Sequence, residues 1–504
     1  MLAAADASLR GHHYTDLEHL LPRVEACTAS ATRSRILGAA ALLRGDSGQA
    51  ERHLLEAIDA LDATPVLAAR CWLNLGTMFV AFSRGHEAAV ALGRALQPGL
   101  LGSSETAQAE VQLAIATSQI DGAVAGLAVF DRFFRRAAPG DRGVEARVSL
   151  ARSLLEFYAL RFADAATSCR LYVDGADGAA TGHLSRAHAL LAASLVEVGG
   201  WDQAVLHAST SVALATDEGE VLLLAQGHST VARLAAGRGD FDRATANLHE
   251  AWRASRRAGT PEADLWTRVA QAALHTARRE PAGVLEALLP LETAGDDRGF
   301  PRYAVMWWPT VIDAFIDLGD RGAADARLTQ LASVAERDLV DLRARRALLH
   351  GRVAEFDGDT DHATALLTEA AAMVGPHEPL LWRADLHRRL GRLLAQTDDR
   401  RRARDHFHQA LGLLHGVGAR PFLDELDHDL TALRMPRSAK ARPGSGLTER
   451  EQHVVTLAVQ GHTNKEIAGA LYVSSKAVEY HMSNILAKLG LTSRRELRTL
   501  NTTA

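Results

Sequence analysis

The sequence predicts an all-α protein: an array of helical hairpins over residues 1–433, a basic linker over 434–446, and a four-helix module over 447–504. Three observations predict it. The composition, 47% hydrophobic and 23% charged with 5% aromatics and only 14 Pro, favours helix over sheet and order over disorder. A turn residue followed five positions later by Ala recurs at intervals of about 39 or 40 residues or their multiples. Near the C-terminal end, Ser/Thr-x-x-Glu pairs occur three times.

A chain of 504 residues exceeds what one hydrophobic core normally organises, so several domains or one extended array are expected. The first residues carry no basic flank, and charges interrupt every apolar run before about 18 residues, so a cytoplasmic protein without a membrane partner is expected. Cys27, Cys71 and Cys169 lie far apart without ligand-like spacing and read as buried thiols in a reducing compartment. The net charge of −5 is unevenly spread. From Arg434 onward there are eleven Lys or Arg against five Glu, which leaves −11 on the preceding residues. A basic end on an acidic body suits a nucleic-acid-binding terminus joined to a part that binds none.

Along the array, Gly45, Gly199, Gly239, Gly319, Gly358 and Asp398 precede Ala50, Ala204, Ala244, Ala324, Ala363 and Ala403. Weaker copies at Gly85 and at Arg161, and the breaks at 120–122 and 279–281, complete about ten units. Around Gly239, Val231, Ala232 and Ala235 share one helix face, Gly239-Asp240 breaks the helix, and Phe241, Ala244, Leu248 and Ala251 line the next. The same positions return as Leu390, Gly391, Leu394, Ala403, Phe407 and Ala410. Small residues let two antiparallel helices approach, and Leu or an aromatic fills the gap. This pattern resembles degenerate tetratricopeptide repeats with a longer period than usual, which implies a solenoid whose concave side binds a peptide, protein or small ligand.

Tyr303, Trp307 and Trp308 are candidates for contacts in such a groove; the alternative is that they pack hairpin against hairpin. His12-His13 and His406-Phe407-His408 read as chance clusters in a chain with 22 His rather than metal ligands. Residues 357–361, Asp-Gly-Asp-Thr-Asp, fall on a repeat turn and lack the residue placement of a calcium loop. No metal, cofactor or catalytic residue is expected.

The linker, with two Pro, two Gly and four basic residues, reads as a tether. Beyond it, Thr448 with Glu451, Thr463 with Glu466, and Ser493 with Glu496 form capping boxes that start three helices. A further helix starts at Ser474 and ends at Leu489 before Gly490. Val454, Val455, Leu457 and Ala458, then Ile467, Ala468 and Leu471, then Val478, Met482, Ile485, Leu486 and Leu489 supply one small core. The tight turn at Tyr472-Val473 makes a helix-turn-helix, and the opposite face of the third helix presents Lys476, Glu479, Tyr480 and Ser483 to solvent.

These residues resemble the DNA-binding domain of LuxR-type regulators: Leu447-Thr448-Glu449-Arg450-Glu451, Gly461, Thr463 to Ala468, Val478, His481, Ile485, Lys488-Leu489-Gly490 and Ser493-Arg494. The resemblance implies base reading by Glu479, Tyr480 and Ser483, and phosphate contacts from Lys465, Lys476, Lys488 and Arg494. Ala477 stands where the family often has Thr, and Glu479 where many members have Lys, which implies a different target sequence. His481 reads as a packed residue. The run from Ala477 to Asn484 is most like that of the large ATP-binding LuxR regulators, but no GxxxxGK[ST] occurs, so ATP hydrolysis is not implied. A naturally short regulator and the C-terminal part of a longer one both fit.

The implied function is a signal-responsive transcriptional regulator, an activator by family resemblance, on the nucleoid when bound to double-stranded DNA. It would act as a homodimer at least on DNA, with RNA polymerase a candidate partner and an unknown ligand or protein on the repeats. The competing expectation is an interaction scaffold in which DNA binding is secondary.

Overall fold

The computed structural model describes residues 1–10, 14–43, 46–60, 62–134, 142–175, 183–294, 303–338, 340–397, 399–435, 449–471, 473, 475–489, 491, 494 and 497. Gly45, Asp398, His12-His13 and the 436–446 part of the linker therefore lie outside the described residues. No strand occurs among those described. The helices are α1 Leu2–Arg10, α2 Tyr14–Glu25, α3 Ala31–Leu43, α4 Ser47–Asp59, α5 Pro65–Ala81, α6 Gly85–Ala95, α7 Ser103–Asp121, α8 Ala123–Phe134 and α9 Arg142–Tyr158. They continue as α10 Phe162–Gly175, α11 Leu184–Val198, α12 Trp201–Glu218, α13 Val221–Gly237, α14 Phe241–Ala258, α15 Pro261–Arg278, α16 Pro281–Leu288 and α17 Ala304–Asp317. The last are α18 Arg321–Asp338, α19 Arg343–Phe356, α20 Thr360–Met373, α21 Leu380–Gln396, α22 Arg400–Val417, α23 Arg420–Ala432, α24 Glu449–Val459, α25 Asn464–Ala470 and α26 Ser475–Leu489. The chain divides into two compact units, Met1–Glu425 and Leu426–Ala504.

The first unit is a helical-hairpin solenoid of the tetratricopeptide type, in which successive helices pack as antiparallel pairs. One turn explains the repeat. Gly239, Gly319 and Gly358 adopt φ of 79°, 78° and 81°, where a side chain would be strained. There the amide of the following Asp bonds back five residues: Asp240 N to Ala235 O, Asp320 N to Phe315 O and Asp359 N to Ala354 O, each at 2.9 Å. That Asp then caps the second helix. Asp240, Asp320 and Asp359 accept from the amides of Arg243, Ala323 and His362 at 3.2, 3.0 and 3.0 Å. The turn thus closes one helix and opens the next within two residues.

The alanines that follow are the closest-packed points. Ala50, Ala204, Ala244, Ala324, Ala363 and Ala403 are all 0% exposed. Facing them, Gly38, Gly76, Gly351 and Gly391 on the first helices lie against Leu54, Leu92, Leu367 and Phe407 on the second. A Cβ at Gly76 would sit 2.5 Å from Leu92 Cγ, and one at Gly391 would sit 3.2 Å from both Ala403 O and Phe407. Glycine there sets the interhelical distance, and the large side chain sixteen residues on fills the resulting groove.

Arginine–carboxylate pairs latch several hairpins to their neighbours. Arg70 reaches Glu105 at 2.7 Å, Arg84 reaches Glu51 at 2.7 Å, Arg238 reaches Asp202 at 2.6 Å and Arg327 reaches Glu292 at 2.8 Å. Arg233 pairs with Glu197, Arg392 with Glu355, and the buried Arg352 with both Asp313 and Asp317. The array also winds back on itself. Tyr158 at the end of α9 stacks on Tyr303 at 3.9 Å and donates its hydroxyl to Glu262 at 3.1 Å, while Arg238 Nε donates to Val417 O at 3.4 Å.

The Trp307-Trp308 pair enters the core instead of a groove. Both rings are 2% exposed, in a cluster with Val311, Ile312, Leu328 and Leu331, and Trp308 Nε1 donates to Glu292 at 3.1 Å. Tyr303, partly buried against the same cluster, is held by Tyr158. Cys71 and Cys169 are buried, and burial pushes both thiols up to about 12, whereas Cys27 is only half-buried. Asp357-Gly358-Asp359 forms a hairpin turn. Among the described residues no three His, Cys, Asp or Glu come together as a metal-binding group, and no helix is long and apolar enough to cross a membrane.

Two hairpins carry a stacked histidine pair at one register. His188 and His207 join Nδ1 to Nδ1 at 2.8 Å, and His387 and His406 do so at 3.0 Å; one ring must donate and the other accept. The next hairpin after the first pair, α13–α14, places His228 against Asn247 at the same sequence spacing, 3.0 Å apart. Burial first, then the neighbouring ring, lowers His207 and His387 from 6.5 to about 4. Arg170 and Asp174 also face His207, and Arg383 faces His387. The unfolded chain binds protons first as pH falls, so this contribution is complete above about 6.5 and is lost toward 4.

Two outcomes are expected. Phe407→Ala removes a buried ring and costs about 3–5 kcal/mol in urea unfolding, whereas Leu206→Ala, at a 57% exposed position, changes stability by about 0.5 kcal/mol or less. In thermal melts across pH 6.5 to 4, the protein loses stability more steeply than a His207→Asn, His406→Asn variant; equal slopes would exclude the histidine pairs as the cause.

Candidate nucleic-acid interface

In the second unit, α24, α25 and α26 enclose one core. Val454, Ala458, Ile467, Ala468, Val478, Met482, Ile485 and Leu497 are buried, with Val455, Leu457, Leu471, Val473 and Leu486 packed against them. The spacing of three and four on each helix is what lets three short segments share so small an interior. Gly461, at φ 99°, ends α24, and the His462 amide bonds back to Leu457 O at 3.2 Å.

The expected capping box at α25 is formed. Glu466 N donates to Thr463 Oγ1 at 3.3 Å, and Thr463 N donates to Glu466 Oε2 at 2.6 Å. Accepting from the Thr463 amide, and then from its hydroxyl, lowers the Glu466 carboxyl below its usual range. The other two boxes cannot be followed in the same way, since Thr448, Ser493 and Glu496 lie outside the described residues, as do Tyr472, Ser474 and Gly490. Glu451 is buried in α24. The turn between α25 and α26 is closed by Val473 N donating to Ala468 O at 2.9 Å, which fixes the helix-turn-helix crossing.

That crossing leaves one face of α26 outside the core. Val478, Met482 and Ile485 point inward, while Lys476, Glu479, Tyr480 and Ser483, at the alternate three-and-four spacing, are exposed. The Tyr480 ring is 39% exposed and lies 6.0 Å from the half-buried His481 ring. Ser483 Oγ donates to Glu479 O at 3.1 Å, so its oxygen lone pairs face outward as acceptors. Lys465 is exposed on α25. Lys488 lies on α26, with its side chain outside the described part. An α-helix presenting such a row fits a major groove about 12 Å wide, where Glu can accept from a cytosine amino group.

Arg494 has a placement that sequence reasoning did not supply. Its guanidinium donates to Asn464 Oδ1 at 2.7 Å and to His462 O, tying the segment after α26 to the start of α25. The capping box and this tie act on the same helix end, so both orient α25 beneath α26.

The family model of luxR-family bacterial regulatory proteins matches residues 445–500. An uncharacterized transcriptional regulatory protein of Bacillus subtilis, YhcZ, is 39% identical over 71 residues, 14% of this chain and 33% of that one. The oxygen regulatory protein NreC of Staphylococcus aureus is 49% identical over 51 residues, 10% of this chain and 24% of the other. The HTH-type transcriptional regulator MalT of Vibrio parahaemolyticus is 27% identical over 277 residues, 53% of this chain and 30% of its own length. The matched stretches thus span a third or less of these relatives. Among solved structures, a Rap protein complexed with competence and sporulation factor aligns with TM-score 0.49 at 11% identity, over 72% of this chain and all of that one.

Thr463→Ala is expected to cost about 1 kcal/mol, read as roughly five-fold faster amide hydrogen exchange in α25 of the full-length protein, with the α21–α22 hairpin unaffected.

Proposed function

With residues 445–500 forming a luxR-family DNA-binding domain, we propose that the chain is a DNA-binding transcriptional regulator that reads a major-groove site with α26. The family match over this segment carries the reading, and the exposed row on α26 supports it. Glu479, Tyr480 and Ser483 contact base edges: Glu479 accepts from cytosine N4, Ser483 offers its oxygen, and the Tyr480 ring packs on apolar base edges such as the thymine methyl. Lys465, Lys476, Lys488 and Arg494 face phosphates, which set register without reading sequence. Arg494, already tied to α25, contributes charge through a fixed guanidinium.

The regulator acts as a homodimer on DNA, with half-sites about one helical turn apart, and activates transcription through contact with RNA polymerase. Its input is a ligand or protein bound by the hairpin array, which shifts how the two terminal domains are presented.

Binding-site selection from a random DNA pool, followed by titration at several salt concentrations, tests this reading. Glu479→Ala is expected to relax preference at one base pair by about 1–3 kcal/mol while other positions stay fixed. Lys476→Ala is expected to weaken all sequences alike and to reduce the salt slope by about one. Selection of no common sequence, or an unchanged preference in Glu479→Ala, would contradict the assignment of α26.

A further inference from the structure

Several buried or half-buried arginines of the array, Arg352, Arg388 and Arg389 among them, have a carboxylate partner within ion-pair distance, and Arg345 is buried without one. It lies in the first turn of α19, is 7% exposed, and among the described residues has no hydrogen-bond or ion-pair partner; its Nε is buried and unsatisfied. Burial lowers its pKa despite through-space attraction from Glu378, then Glu197 and Asp313. The guanidinium carbon sits 5.4 Å from the ring centroid of Trp382, in the first turn of α21. The Trp382 indole Nε1 is itself buried without an acceptor.

The helix whose first turn carries Trp382 is also without a side-chain cap. Pro379 at the N-cap of α21 makes no side-chain cap, so the amides of its first turn have no intrahelical acceptor. One locus therefore gathers a buried cation, a buried indole N–H and the amide end of a seventeen-residue helix. All are donors, and an array of donors without acceptors is complementary to an oxyanion. Glu378, in the connection before α21, is the nearest competitor; burial raises its carboxyl while Arg345 lowers it, and the two do not form an ion pair. The neighbouring Arg383 donates to Pro376 O at 3.1 Å, holding that connection beside the helix end.

We propose that Arg345, Trp382 and the N-terminal turn of α21 form a binding site for a small oxyanion, a carboxylate or phosphate group, reached past the 374–379 connection. Bound there, the anion joins two successive first helices of the array, α19 and α21, and displaces the influence of Glu378. The site is independent of DNA binding, so its test can fail while the reading of α26 stands.

The full-length protein is titrated with inorganic phosphate and, separately, with citrate at constant ionic strength, following heat and tryptophan fluorescence. Saturable binding of at least one probe is expected, with the better probe distinguishing phosphate from carboxylate. Arg345→Gln is expected to weaken it about ten-fold or more, and Trp382→Phe, which keeps the ring and loses the N–H, by a few-fold, whereas the exposed Arg256→Gln leaves it unchanged. Glu378→Gln is expected to tighten it several-fold by removing the competitor. Binding of neither probe, or binding that Arg345→Gln leaves intact, overturns the proposal. Weaker binding in a folded Glu378→Gln protein does so too, since it would make Glu378 part of the site.

Discussion

The array rests on one steric constraint: two helices can approach closely only where neither carries a large side chain at the crossing. Glycine on the first helix and alanine on the second meet that requirement, and Leu or Phe sixteen residues after the glycine then fills the adjacent groove. The Gly-Asp turn delivers the alanine to that crossing, because its positive φ and its aspartate cap fix where the second helix begins. Each hairpin then exposes a side that only another hairpin can cover, and the arginine–carboxylate latches set how neighbours meet. The terminal unit solves the same problem at smaller scale. The capped start of α25 and the tight turn after it help hold three short helices on one core, which leaves a face of α26 free for a partner.

Much of this was legible in the sequence. The six alanines picked by their distance from a turn residue are all fully buried, and the helix-turn-helix core lies where the spacing of Val454, Ile467, Val478 and Ile485 predicts. Local signals succeed here because capping, turn chemistry and helical periodicity act within a few residues. What escaped the sequence is what depends on residues a repeat or more apart. In a chain with 56 Lys or Arg and 61 Asp or Glu, nothing local says that Arg352 will pair with Asp313 and Asp317. The return of Tyr158 onto Tyr303 depends on superhelical winding, which accumulates from small rotations per hairpin.

Two side-chain groups illustrate the difference. Trp307 and Trp308 read from the sequence either as groove contacts or as packing between hairpins, and the hairpin formed by α17 and α18 takes them inward. Arg494 looked like a free cation beside DNA, and it is bonded to Asn464 and His462, thirty residues upstream. A fixed guanidinium remains able to face a phosphate, since Arg carries five N–H donors and keeps its charge.

The central claim is that α26 directs this chain to particular DNA sequences. Genome-wide occupancy of the tagged full-length protein, compared with a Tyr480→Ala variant expressed at the same level, tests it most directly. The account predicts discrete sites sharing one motif in the unaltered protein and loss or redistribution of those sites in the variant. Diffuse occupancy without a motif, or identical sites in both, would contradict it.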